Sequence, residues 1–391
     1  MTAVPADTLD STRRLGIAAA IGATTAVGTS LGLGLPLLAI VLESRGISSS
    51  AIGINTAMAG VAALAVTPFV ARFARAVGAA QLLLLALLVA TAAFPLFFLA
   101  SDLWMWFPLR FVFHGAITMA FVLSEFWINA LAPDGKRGLI LGIYATVLSL
   151  GFSVGPAVLG LVGTEGFMPF ALGTMVLGLS AVPVLFALRA NPPMEEKPRG
   201  NFLRYLTLVP LATFAGFTFG ATDSGILGFI ALYGLRLGYD TADAALMVSA
   251  VAIGNVVSQI PLGLLADRVD RRKLLAVIAA IATVGMALLP TVADDKWLTF
   301  GLLTVWGGVV AGLYTVGLVH LGARLKGSDL AAANAGFVFM YALGMLVGPA
   351  LVGAGMDAWN PHGLAVVEAT ILAAYTALAV WRIATTSNRN A

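Results

Sequence analysis

Runs of roughly 20 apolar residues, the length a helix needs to cross the hydrocarbon core of a bilayer, recur twelve times along this chain. They occupy 15–42, 49–71, 78–100, 103–131, 138–162, 166–189, 205–233, 241–266, 273–291, 296–322, 328–352 and 362–383. Only 10% of the 391 residues are charged, against about 25% in an ordinary soluble domain. A soluble globule, a disordered chain and a nucleic-acid-binding protein are thereby excluded, and the lipid bilayer becomes the expected solvent. The 43 Gly and 17 Pro agree, since both residues are commoner in membrane helices than in soluble ones. The first run lacks a small-residue cleavage site ahead of polar sequence, so it reads as a retained helix rather than a signal peptide.

The basic residues test the count independently, because short cytoplasmic loops carry an excess of Lys and Arg. With twelve spans and the N-terminus inside, all of the 22 Lys and Arg fall on the cytoplasmic side except Arg45, Arg236, Lys296 and Arg110. Arg110 lies inside the fourth span. Both termini are therefore expected in the cytoplasm, with the chain as a multi-pass protein of the cell's inner membrane.

The longest polar interruption, Asn191 to Arg204, mixes Pro with both charge signs and reads as a linker at 190–204 between bundles at 1–189 and 205–391. The two halves share a signature. Gly151, Gly155, Pro156 and Gly160 in span five recur as Gly344, Gly348, Pro349 and Gly353 in span eleven, shifted by 193 residues. Gly at four-residue spacing opens a groove for close helix approach, and Pro removes one backbone hydrogen bond, so these helices are expected to pack tightly and bend. A six-plus-six repeat in a membrane points to a transporter with its site between the halves.

After span eight comes Gly263-Leu-Leu-Ala-Asp267-Arg268-Val-Asp270-Arg271-Arg272-Lys273, which resembles the signature loop of the major facilitator superfamily, G-x-L-a-D-R-x-x-R-[RK]. The resemblance implies an all-α integral membrane fold of twelve transmembrane helices in two pseudo-symmetric six-helix bundles. It also implies a conformational latch at Gly263, Asp267, Arg268, Arg271 and Arg272, with Asp267 capping the neighbouring helix and pairing with basic residues of the other half. Asp270 stands where the family usually has Gly. The first-half counterpart keeps Arg72 and Arg75 but has Thr67 for Gly and Ala71 for Asp. The span-five signature resembles the family's antiporter motif, with Leu159 replacing its penultimate Gly, which turns the expectation toward export.

Ionisable side chains inside spans cost about 2.5–3.5 kcal/mol on insertion scales and are default site candidates. Arg110 and His114 lie four apart on span four and share a face, and the run from Arg110 to Gly115 loosely resembles a family pattern that lines the central cavity. Two readings stand for Arg110: solute binding in that cavity, or snorkelling to the boundary beside Trp104 and Trp106. Glu125, fifteen residues on and so roughly 22 Å along a helix, cannot pair with it directly. With Asn129 it is read either as a proton carrier or as part of a buried network near Lys136 and Arg137. Asp223, among small residues near the middle of span seven, is the main proton-coupling candidate, because a carboxylate in a low-dielectric cavity can load and release a proton as access alternates. Its bland alternative is a capped helix break at Gly225. Glu368, near the outer end of span twelve, is a weaker candidate, because the family resemblance implies that span twelve sits outside the cavity, and its position permits ordinary exposure. Phe219, Trp306 and Tyr314 head the aromatic candidates for an apolar solute contact, with Phe113, Phe121, Trp127, Phe217, Phe337 and Tyr341 behind them.

Enzyme chemistry finds no footing. Cys is absent, so thiolate metal sites and Cys nucleophiles are ruled out, and the sequence holds no G-x-x-x-x-G-K-[ST] or H-E-x-x-H run. Met340 and Met345 fall about 140° apart on a helix, poorly placed as a soft-metal pair. No cofactor or metal is expected. The expectation is a monomeric secondary transporter working by alternating access, moving a small solute with H+, by antiport of small amphipathic molecules. Proton-linked import of a small organic anion or metabolite is the second reading, and a non-transporting membrane receptor or assembly factor is the third.

Overall fold

The computed structural model describes the backbone of residues 6–131, 137–188 and 203–387. Fourteen helices fill them: α1 (Ala6–Ser44), α2 (Ser49–Val77), α3 (Ala79–Ala93), α4 (Leu96–Leu99), α5 (Leu103–Leu131), α6 (Arg137–Val162), α7 (Met168–Phe186), α8 (Leu203–Leu208), α9 (Pro210–Arg236), α10 (Thr241–Arg268), α11 (Arg271–Val292), α12 (Lys296–Arg324), α13 (Gly327–Ala358) and α14 (Gly363–Ser387). No strand occurs among the described residues. Eleven spans are long and apolar enough to cross a membrane, and α6 supplies a further apolar helix at Thr146–Val162. The twelve-span expectation is met with two refinements. The third run breaks into α3 and α4 beside Pro95, which has no N–H to carry a helix through. The short α8 precedes the seventh span. Most of the expected linker, 190–204, lies outside the described residues.

Two compact units emerge: Met1–Leu38 with Ala62–Glu196, and Ala39–Val61 with Lys197–Ala391. The hairpin joining the first two spans thus belongs with the second unit, although its sequence lies in the first half.

In the first unit, backbones meet at glycines. A Cβ on Gly28 of α1 would stand 2.5 Å from the Leu148 carbonyl oxygen and 3.1 Å from the Gly151 Cα, and one on Gly155 would stand 2.6 Å from the Leu33 nitrogen. The span-five signature is therefore the surface on which α1 and α6 touch. Around α3, α5 and α7 the core is aromatic: the Phe94 ring lies 5.3 Å from Phe113 and 5.8 Å from Phe170, and Phe97 lies 5.1 Å from Trp106.

The second unit repeats the device. Gly344 and Gly348 of α13 face the α9 backbone from Phe217 to Ala221, while Gly220 of α9 faces Tyr341. Other positions on α13 meet the hairpin: Gly353 faces Ser49, Gly53 faces Pro349 and Gly60 faces Leu346. A third such seam joins α10 to α12, where Gly307 faces Val251 and Gly254 faces Thr304. The same motif, 193 residues apart, serves the same close approach in each unit.

Gly348→Leu or Gly151→Leu should lower stability by at least the 1–3 kcal/mol typical of an overpacked core, read as earlier thermal unfolding of the purified protein. Gly263→Ala, where a Cβ would meet nothing within 4 Å, should unfold near the wild-type temperature. Equal unfolding of all three would refute the close-packing account.

Candidate functional site

Within the second unit, α9 is buried along nearly its whole length, which marks it as the axis around which this bundle is built. Phe219 and Asp223 stand one turn apart on it and share a face. Tyr314 of α12 and Tyr341 of α13 come to the Phe219 ring at 5.5 and 6.0 Å, and Phe337 closes on Tyr314 at 5.2 Å. The Asp223 carboxyl lies within electrostatic reach of Tyr341 and of Glu368 on α14. The result is a half-buried acid above a wall of four rings from three helices, a surface able to hold an apolar body while a charge or proton is exchanged at one end.

The helix runs unbroken through this region. Thr222 Oγ1 donates to the Thr218 carbonyl at 2.9 Å and Ser224 Oγ donates to that of Gly220 at 2.6 Å, so both hydroxyls serve turns already made. The capped-break alternative for Asp223 is therefore overturned, because no backbone groups are freed at Gly225 for it to cap.

Glu368 corrects the sequence reading. It is fully buried, and neither carboxyl oxygen has a hydrogen-bond partner among the described residues. Its side chain fills the space left by the missing Cβ of Gly225, beside Val352. Its nearness to the end of a span permitted exposure, but the neighbours that bury it come from α9 and α13.

Trp306 is placed apart from the ring wall. Its Nε1 donates to the Ala282 carbonyl at 3.0 Å and its ring lies against Gly285, so it knits α12 to α11.

In the first unit Arg110 and His114 do share a face of α5, where His114 Nδ1 lies 3.2 Å from the Arg110 carbonyl oxygen and its ring lies 5.1 Å from that of Phe113. Arg110 is fully buried, which removes the snorkelling reading, since a snorkelling guanidinium must reach water. Glu125 is exposed, so the buried network expected around it is not formed among the described residues. Asn129 Nδ2 donates to the Glu125 carbonyl at 2.8 Å. Lys136, part of that expectation, lies outside the described residues, as does the side chain of Arg137.

At the signature loop, Asp267 is exposed with Arg271 3.9 Å away, too far for a hydrogen bond. Arg268 is exposed. The cap of α11 is made by Asp270, which accepts from the Arg272 backbone N–H at 2.9 Å. Burial alone would raise the Asp270 carboxyl, but hydrogen bonds and charge from Arg272 outweigh it and hold the group below its ordinary value. The family's capping role thus falls to Asp270, the residue that departs from the family pattern.

At the opposite ends of the second unit's helices stands a polar cluster that sequence reasoning missed. Arg236 Nε and Nη2 donate to the two Glu43 oxygens at 2.8 and 2.9 Å, with Ser49 Oγ at 2.7 Å and Asn360 Oδ1 at 3.0 Å. Asp357 accepts from the backbone N–H groups of Ser49 and Ser50 at 2.9 and 2.8 Å, capping α2. These partners are 124 to 308 residues apart in sequence, and the one available signal was that Arg236 is a rare basic residue on its side of the membrane.

Comparison with known proteins sets these features in a family. The model of the major facilitator superfamily matches residues 20–245 and 212–390. The chain belongs to the major facilitator superfamily. Among its relatives are the uncharacterised MFS-type transporters YfkF of Bacillus subtilis, 26% identical over 86% of this chain and 88% of its own length, and YcaD of Escherichia coli, 23% identical over 68% and 70%. Solved structures share the fold. The nucleoside transporter NupG gives a TM-score of 0.75 over 95% of this chain and 98% of its own at 15% identity. A bacterial homologue of the human lysosomal transporter Spinster, inward-facing and unoccupied, gives 0.71 over 94% of each chain at 14% identity. The protein is thus a multi-pass member of a transporter superfamily, and its activity class is movement of solute across a membrane.

Asp270→Ala should lower stability by about 1 kcal/mol, the usual worth of an N-cap, while Asp270→Asn should keep most of it. Because the folded Asp270 value is depressed, its contribution is present above the ordinary carboxylate range and fades as pH falls through the lowered value. Thermal unfolding of the two variants across acid pH checks both statements.

Proposed function

We propose that this superfamily member is a proton-coupled secondary transporter that exports small amphipathic molecules by alternating access. The observation that carries the reading is Asp223, a half-buried carboxyl one turn above the Phe219–Tyr314–Tyr341 ring wall. An ionisable group at such depth is costly unless it works, and the wall beside it suits an apolar or aromatic solute body. In this reading the covalent halves at 1–189 and 205–391 are the moving bundles, the termini face the cytoplasm and one chain is the transport unit.

The second reading, proton-linked import of a small organic anion, is favoured by the fully buried guanidinium of Arg110, which suits a carboxylate or phosphate. Proteoliposomes with an imposed proton gradient and an internal pH dye separate the two. Cationic dyes, organic anions, sugars, amino-acid derivatives and nucleosides are added in turn, and the sign of the solute-evoked pH change gives the direction. Asp223→Asn should abolish gradient-driven movement yet leave solute counterflow. Undiminished gradient-driven movement by that variant would remove Asp223 from coupling.

The Glu43–Arg236 pair and the Asp357 cap act in this scheme as a clasp holding the α1–α2 hairpin to α9 and α13. The absence of native Cys makes a single introduced thiol an unambiguous reporter. Thr56→Cys, at a buried position on α2, should be labelled several-fold faster by a water-soluble maleimide when combined with Arg236→Ala. An unchanged rate would show that the pair does not hold the hairpin.

A further inference from the structure

One face of the first unit remains outside the account above. Between α2, α3 and α5 lies a groove of about 400 Å³, bordered among others by Phe73, Leu82, Ala86, Val89, Val112 and Ala116. A second hollow of about 330 Å³ continues it between α3 and α5, and Val89 and Val112 border both. Every residue lining the two hollows is apolar, and Phe73, Val77, Leu85 and Val112 are exposed along the groove. The depth comes from small side chains, Ala86, Gly115 and Ala116. On membrane-spanning helices such a groove faces hydrocarbon rather than water. From Leu82 to Ala93 it follows α3 for eleven residues, roughly 16 Å at 1.5 Å per residue. That matches one leaflet of a hydrocarbon core about 30 Å thick, the depth that one extended acyl chain covers.

Charge marks one end of the groove. Arg72 and Arg75 lie three apart on α2 and share a face, beside Phe73 and Val77 of the lining. Both are exposed, and neither has a hydrogen bond or ion pair among the described residues. The matching stretch of the second half is provided differently: Arg271 has Asp267 at 3.9 Å and Arg272 has Asp270 at 3.4 Å. In the first half Ala71 stands in the place of Asp267, and no Asp or Glu occurs between Glu43 and Asp102. Glu125, the acid of α5 toward this end, is nine residues beyond Ala116 and hence half a turn round that helix from it.

We propose that this groove is a site for an anionic phospholipid, which lays one acyl chain along α3 between α2 and α5 and gives its phosphate to Arg72 and Arg75. The complementarity is twofold. The guanidinium fork matches phosphate oxygens with paired donors, and basic residues at the membrane surface draw anionic headgroups, while the apolar groove beside them takes the chain. The lipid supplies the counter-charge that the protein itself supplies in the second half through Asp267 and Asp270. This inference depends on the membrane fold alone and on no choice of solute, direction or coupling ion.

The test is photolabelling of the full-length protein in phosphatidylcholine vesicles that carry a small fraction of probe lipid, either phosphatidylglycerol or phosphatidylcholine, with a diazirine in one acyl chain. Labelled peptides are then mapped by mass spectrometry. The phosphatidylglycerol probe should label the α3 and α5 peptides around Val89 and Val112 several-fold more than the phosphatidylcholine probe does. Arg72→Gln with Arg75→Gln should bring the two probes level. Val112→Trp, which fills the junction of the hollows, should lower phosphatidylglycerol labelling with both arginines in place. Equal labelling of the wild type by the two probes would reduce the groove to ordinary boundary lipid and overturn the proposal. A phosphatidylglycerol preference that survives the double substitution removes the arginines from the site and equally defeats it. Labelling of the groove by neither probe defeats it too, whether a second copy of the chain, seen as a dimer by native mass spectrometry, or a bound solute covers the face. Both arginines are exposed, so the double variant should unfold at the wild-type temperature; if it does not fold, Val112→Trp decides alone, and unchanged labelling in that variant refutes the site.

Discussion

Between helices in a bilayer the hydrophobic effect offers little, because lipid tails are as apolar as Leu, so association depends on how closely backbones can approach. Here that approach is made at glycines. Gly28, Gly151 and Gly155 close α1 on α6, and Gly220, Gly344 and Gly348 close α9 on α13. At most of these positions a single methyl would collide with backbone, which cannot move aside as a side-chain end can. The rest of the structure is arranged around these seams.

The α9–α13 seam also determines what the second unit can present. Holding the two backbones in contact sets Phe219 against Tyr341 and brings Asp223 to the same wall. Gly225, two residues beyond Asp223, turns the same smallness to a different use by admitting Glu368. Positions on α13 away from α9 receive the hairpin through Gly353, Pro349 and Leu346. One helix thus touches the aromatic wall and the segment clasped by Arg236 and Asp357.

The sequence made the spans legible because bilayer thickness imposes a length that composition cannot disguise. It made the paired signatures at 151–160 and 344–353 legible because close packing has a four-residue period. Phe219, Tyr314 and Asp223 could be singled out as candidates from their depth in the spans, and the structure brings these three to one place. Burial by other helices could not be read. Glu368 looked exposed by its position in its own span, and what hides it is a missing side chain on α9. Trp306 looked like a solute contact, yet the carbonyl it satisfies is on α11. Asp270 looked like a departure from a motif and proves to be the cap. The clasp was invisible because Glu43 and Arg236 are distant in sequence and each, alone, is an ordinary loop-end charge.

Under the proposed proton-coupled cycle, protonation of Asp223 would be linked to opening of the hairpin clasp. Spin labels at Ser44 and Trp359, both exposed at the clasp end of the second unit, report the hairpin-to-α13 distance directly. The account predicts two distance populations whose ratio shifts between alkaline and acid buffer in the wild type and is fixed in Asp223→Asn. A single distance, unchanged by pH in both proteins, would contradict it.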